Sequence, residues 1–430
     1  MLYYFYPSVR TIVKKVIRSL SFVLLFFLCI CPVLASQEIA HPYIAEVVGT
    51  LEATHPKLQD EQARQALTRK AEELDTTFSS LSVFEQDLAI QELVASLGDS
   101  HTTLGNIALH MDKDITVLPF STTTFEGSYH IALLDKNGRD FLGWKLEAIN
   151  GHDIQELLQR FSPLISHDNQ VKLRRQLPNF LTIPLFLEEY GISGSDGTVR
   201  LTLSHQGRTV HYRMYPISRK EARQLERVTL AELRTGQPPT ERTDTNYWWS
   251  VLADAGIYVQ YNVCAPDKNY PMAAMAAEIR NHLEIHPDVP HVIIDLRYNG
   301  GGSDGVLNPL RTMLLDFPNL AVYAMVAEQT YSSAIINAIQ LKEQGAILVG
   351  EETSGSVDHY GSVARIELSS GMRLNVSTKN ILLSDMFPTA KSYGHSPIKP
   401  DYMVPLTLED YLRGRDTAVE AIMKGLPVKE

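Results

Sequence analysis

Residues 291–302 read His-Val-Ile-Ile-Asp-Leu-Arg-Tyr-Asn-Gly-Gly-Gly. The first half is a continuous apolar run that ends in charge. That is the pattern of a strand buried on both faces of a parallel sheet, not the alternation of a half-exposed strand. Residues 299–305 (NGGGSDG) then turn tightly into the helical pattern of residues 306–315. Upstream, 257–263 (IYVQYNV) reads as a strand and 270–286 as a helix. Downstream, 320–327 (LAVYAMVA) is a strand, 334–344 (AIINAIQLKEQ) a helix and 346–352 (AILVGEE) another strand. Strand–helix alternation at this spacing predicts a parallel sheet with crossover helices, an α/β core over residues 248–430.

The chain before it has a different grammar. Residues 57–98 read as helices, with Phe84, Leu88, Val94 and Leu97 at helical spacing and Gly98 closing the run. They form a helical segment over 37–105. Residues 106–216 break into short strand-like pieces separated by turn signals, YHIALL then KNGRD then WKLEAINGHDI. The piece 197–214 reads as a hairpin pair, and the whole as a small β-rich domain. Residues 217–247 are polar and hold Pro238-Pro239, the composition of a linker.

The 430 residues are 44% hydrophobic and 21% charged, which excludes collagen-like, coiled-coil and wholly disordered chains. A net charge of −11 argues against a nucleic-acid partner, which needs a basic face for phosphates. The first 36 residues carry Arg10, Lys14, Lys15 and Arg18, then an apolar run from Ser19 to Ala35 ending in small residues. This is the pattern of a cleavable signal for export. An uncleaved membrane anchor is the rival, since the run is near the lower length limit for a span. Cys29 and Cys31 would leave with the signal, and Cys264 then has no partner for a disulfide. Within an alternating apolar segment, Cys264 reads as a small buried hydrophobe.

Three short segments carry chemistry. The glycines at 300–302 let the backbone expose N–H groups that can hold a phosphate or an oxyanion, or simply make a turn. No Gly-Lys-Ser/Thr follows, so this is not a P-loop. Thr330-Tyr331-Ser332-Ser333-Ala334 enters a helix. Ser333 there is either an N-cap or a nucleophile whose tetrahedral intermediate the helix N-terminus favours. Leu97-Gly98-Asp99-Ser100-His101-Thr102 places His101 just past a helix end, either as a turn residue or as the base a serine hydroxyl requires. No His-Glu-x-x-His or paired-Cys cluster calls for a metal, and nothing calls for a cofactor.

In combination these segments resemble the tail-specific, or carboxy-terminal processing, serine peptidases and the related tricorn core protease. LVASLGDSHTTL (93–104) is similar to the family's Gly-Asp-x-His-Thr segment. VIIDLRYNGGGS (292–303) is similar to its Asp-Leu-Arg-x-Asn-x-Gly-Gly strand and turn. TYSSAIINA (330–338) with AILVGEETSG (346–355) is similar to its nucleophile helix and following strand, and Ile398-Lys399-Pro400-Asp401 is a fourth, weaker match. The resemblance implies a crotonase-like or Clp-protease-like α/β core. It implies Ser333 as nucleophile, with Ser332 its neighbour, and an oxyanion hole from Ala334 N–H and the amides at Gly301 and Gly302. Asn299 and Arg297 would shape the turn. Many members pair the serine with a Lys, whose position here is Ser356. The tricorn branch uses a His preceded by Ser, which Ser100-His101 fits, so His101 is the general base and Ser100 an accessory that orients it. The orienting acid stays open among Asp385, Glu351 and Glu352, and Lys379 is an alternative base. The β-rich insert stands where relatives carry a PDZ domain, although its carboxylate-binding loop is not evident.

These readings predict an exported serine-type endopeptidase acting on a peptide or protein substrate, in contact with a membrane only if the signal is retained. The rival is a non-catalytic ligand or peptide binder on the same fold. The oligomeric state is left open.

Overall fold

Continuous apolar strands do build a six-stranded sheet at the centre of the computed structural model, which describes residues 39–105, 115–236 and 242–426. The predicted signal, with Cys29 and Cys31, lies outside the described residues. The strand order is Tyr247–Val251, Ile257–Tyr261, His291–Asp295, Ala321–Val326, Ile347–Gly350 and Tyr402–Met403, which is also the chain order. The first pair is antiparallel and the rest are parallel. Because each right-handed crossover steps the same way, the helices Met272–Ile285, Asn308–Leu314 and Ser333–Glu343 all fall on one face. Their Ile279, Leu310, Ile335 and Ile339 pack there against Val259, Val292 and Ile294. The other face, with Tyr258, Ile293 and Met325, is covered by Ala418, Val419 and Ile422 of the helix Thr417–Met423.

That last helix is pinned by a buried charge cluster. Arg297 reaches Asp295 at 2.7 Å and Asp416, the helix N-cap, at 2.6 Å. Arg297 therefore braces the strand end that leads into the glycine turn, and does not face it.

The N-terminal helices are Pro42–Thr54, Glu61–Phe78 and Val83–Ala95, the last opened by a capping box of Ser82 and Glu85. The β-rich unit is a seven-stranded antiparallel sheet, in which the pair Val199–His205 and Arg208–Met214 is the hairpin expected from sequence. Between its strands run the helices Ile154–Phe161 and Gln170–Gln176. Within the segment that composition marks as a linker, residues 227–229 belong to this sheet. Arg227–Thr229 pairs with Leu133–Asp135 along the edge, and Leu230 is buried. Its polarity reflects an edge strand with one wet side. No helix among the described residues is long and apolar enough to cross a membrane.

A three-stranded sheet connects the outlying parts to the core. Thr103-Leu104 pairs with Asn375 and Leu374 of the strand Arg373–Ile381, whose hairpin partner is His359–Glu367. The turn holding Asp99, Ser100 and His101 is thereby carried to the core sheet.

Candidate active site

The glycine turn is fixed from beneath. Asn299 Oδ1 accepts the Gly301 N–H at 2.9 Å, and Asn299 Nδ2 donates to Tyr261 O at 2.9 Å. Cys264 is buried, its Sγ 3.3 Å from Asn299 Oδ1, and burial pushes the thiol up to about 11, so it is no nucleophile. Gly301 has φ +103 and packs against the serines: a Cβ there would meet Ser332 Cβ at 2.7 Å, Tyr331 O at 2.9 Å and Ser333 N at 3.0 Å. Gly302, at φ +134, leaves no room for a Cβ beside the Cys264 carbonyl.

The two adjacent serines have different surroundings. Ser333 is buried, and its hydroxyl donates to Gly302 O at 2.7 Å, tying the helix start to the glycine turn. Ser332 is partly exposed, stands at φ 54 and ψ −126, and its hydroxyl caps nothing. A positive φ at a non-glycine residue costs ~1–3 kcal/mol and persists only where the surroundings enforce it. The amide of Ala334 is already spent on Tyr331 O at 3.1 Å. The amides of Gly302 and Ser333 donate to no other group among the described residues.

His101 lies across Tyr331, ring centroids 4.5 Å apart and planes 21° from parallel, with His359 on a further stack at 5.6 Å. Neither ring nitrogen of His101 has a hydrogen-bond partner among the described residues, so the imidazole is not bonded to either serine in this arrangement. Burial pushes its pKa down to about 3, with Asp99 opposing and His359 and Lys172 adding to the shift. The ring is therefore neutral, the form a general base needs. Ser100 makes no hydrogen bond to the imidazole. Its Oγ lies 2.7 Å from Tyr331 OH, so it orients the ring on which His101 rests.

The Asp99 carboxylate lies beside the imidazole. Its Oδ1 accepts the His101 N–H at 2.9 Å and lies 3.9 Å from His101 Nδ1. Its Oδ2 accepts from His55 Nε2 at 3.1 Å, Thr102 Oγ1 at 2.5 Å and Ser377 Oγ at 2.6 Å. Burial raises the carboxyl, but these donors outweigh it and hold Asp99 below the ordinary carboxylate range. The remaining sequence candidates stand elsewhere. Glu351 lines a cleft of about 660 Å³ between the β-rich unit and the strand ends. Burial and Glu328 push Glu351 up to about 7. Asp385 sits on a short separate helix, Leu383–Met386, and Lys379 is exposed. Ser356, where a dyad lysine would stand, is fully buried and accepts from Asn169 Nδ2 at 3.0 Å. Asp401 of the Pro-Asp landmark is structural, binding Lys342 at 2.7 Å and the Leu348 N–H at 2.9 Å.

Sequence reading had not singled out Asp99, Tyr331, His359 or Lys172. Asp99 and Tyr331 lie inside the quoted motifs next to chosen residues; His359 and Lys172 carry no local signal.

The sequence matches no protein-family profile and no curated protein. Its fold does match solved structures. Mature CPAF aligns with a TM-score of 0.61 at 11% identity, over 89% of this chain and 97% of that one. Mature CPAF complexed with lactacystin aligns at 0.60 and 12% identity, over 89% and 98%. The photosystem II D1 C-terminal processing protease aligns at 0.41 and 13% identity, over 91% and 97%. At such identities the likeness is one of fold: this chain has the mixed α/β fold of mature CPAF over nearly its whole described length.

Proposed function

We propose that the chain is a serine-type peptidase of the tail-specific or tricorn-like group, with a crotonase- or Clp-like core, and that Ser332 is its nucleophile. The observation that carries this reading is Ser332 itself. Its backbone is strained, its hydroxyl caps nothing, and it abuts a glycine turn beside two unspent amides. Ser333 and Ala334 give way as nucleophile and oxyanion donor, because the Ser333 hydroxyl and the Ala334 amide are already committed.

In this reading Ser332 Oγ attacks the scissile carbonyl as its proton passes to neutral His101. The N–H groups of Ser333 and Gly302 receive the oxyanion. Collapse breaks the C–N bond, the imidazolium protonates the leaving amine, and water hydrolyses the acyl-enzyme. Asp99, close but not bonded to the imidazole, favours its charged form. Gly301 serves by having no side chain. Catalytic hydrogen bonds often form only with substrate bound, and the His101–Ser332 bond is one that the complex would complete. Peptide substrates and export through the N-terminal signal belong to the same proposal, and N-terminal sequencing of the exported chain tests the latter. The absence of a serine–imidazole bond favours the rival, a non-catalytic binder.

Labelling with a fluorophosphonate probe separates these readings. The wild type and Ser333→Ala should label, while Ser332→Ala and His101→Gln should not. Labelling of Ser332→Ala but not Ser333→Ala returns the nucleophile to Ser333. No labelling of any chain, with saturable ligand binding, supports the binder. Lactacystin, which mature CPAF binds, is a second probe.

A further inference from the structure

Lys172 is only 5% exposed, on the helix Gln170–Gln176 of the β-rich unit. Its ammonium forms no ion pair and no hydrogen bond among the described residues. It lies instead over the Tyr331 ring, 3.6 Å from the centroid. An ammonium at that distance and an imidazole stacked at 4.5 Å cannot share one face of a ring, so Tyr331 is a slab between Lys172 and His101. The segment carrying Lys172 is anchored to the core. Asn169 Nδ2 donates to Ser354 O and to Ser356 Oγ, both at 3.0 Å, and the hydroxyl of Tyr331 is held by Ser100 Oγ at 2.7 Å.

Resting on the peptidase reading, we propose that Lys172 is a positioning residue for the catalytic imidazole: its ammonium, pressed on Tyr331, holds that ring flat against His101 and sets where the base stands beside Ser332. The β-rich unit thus contributes a side chain to the chemistry of the core. The charged groups facing Lys172 are Arg175 on its own helix, Asp168 on the preceding turn and Asp99 in the His101 turn; His101 itself is uncharged. Burial, with Arg175, pushes Lys172 down to about 8 against the pull of Asp168 and Asp99. The ammonium is therefore present at neutral pH and lost just above it, and the cation–π contact is lost with it.

The experiment is the rate of fluorophosphonate labelling against pH for the wild type, Lys172→Met and Lys172→Arg. The wild-type rate should fall through an inflection near pH 8. Lys172→Met should label roughly tenfold more slowly at pH 7 and show no such inflection. Lys172→Arg should keep most of the rate and also lose the inflection, since a guanidinium does not titrate there. A lysine that merely fills space would leave the inflection in place, and its persistence in Lys172→Arg overturns this inference alone, even if Lys172→Met fails to fold. Absence of labelling in every chain at every pH overturns the peptidase reading, and this inference with it.

Discussion

His101 and Tyr331 stack face to face, 4.5 Å between ring centroids, although one follows the N-terminal helices and the other leads into a helix of the α/β core. Tyr331 immediately precedes Ser332, so this contact brings the imidazole to the residue that departs most from ordinary helix-entry geometry. The stack exists because Thr103-Leu104, just after His101, pairs with the strand Arg373–Ile381 and fixes the turn in register.

The glycine turn gives a position-specific test. Gly301→Ala places a methyl against Ser332 Cβ and Tyr331 O at a φ of +103. It should abolish fluorophosphonate labelling and cost ~1–3 kcal/mol in denaturant titration. Gly300→Ala, one residue earlier, meets nothing within 4 Å and should leave both nearly unchanged. Equal effects from the two would refute this account of the turn.

Strain at Ser332 predicts a trade between stability and activity. Ser332→Gly relieves the positive φ, so it should raise the unfolding free energy by ~1 kcal/mol while removing all labelling. A destabilised Ser332→Gly would mean that the hydroxyl makes a structural contact worth more than the strain.

His101 should also leave a mark on stability against pH. Its folded pKa, about 3, lies below the ordinary 6.5, so the unfolded chain takes up this proton first as the solution is acidified. The contribution is fully present above pH 6.5 and is lost progressively as pH falls toward 3. Denaturant titrations from pH 7 to 4 should show a shallower decline for His101→Gln than for the wild type. Parallel curves would show that the imidazole is not held neutral.

The core strands were legible because parallel strands buried on both faces are unbroken apolar runs, as at Val292, Ile293 and Ile294. The turn chemistry at 299–302 and the helix entry at 330–334 were legible for the same local reason. Arg227–Thr229 was not, because an edge strand of three residues with a single apolar side chain, Val228, looks like any linker. The helices inside the β-rich unit were also missed, since short amphipathic pieces such as Ile154–Phe161 are masked by the turn signals around them.

The amino-acid order alone determined that this chain builds an α/β sheet, that a glycine turn and a serine-bearing helix entry meet at its strand ends, and that a histidine follows the N-terminal helices. Tertiary structure alone distinguished Ser332 from Ser333, spent the Ala334 amide, and set Asp99, Tyr331 and Lys172 around His101. Identical adjacent side chains differ only in the φ and the partners that the fold imposes on them. A pKa, a stack or an unspent amide depends on neighbours supplied by segments far away in the chain.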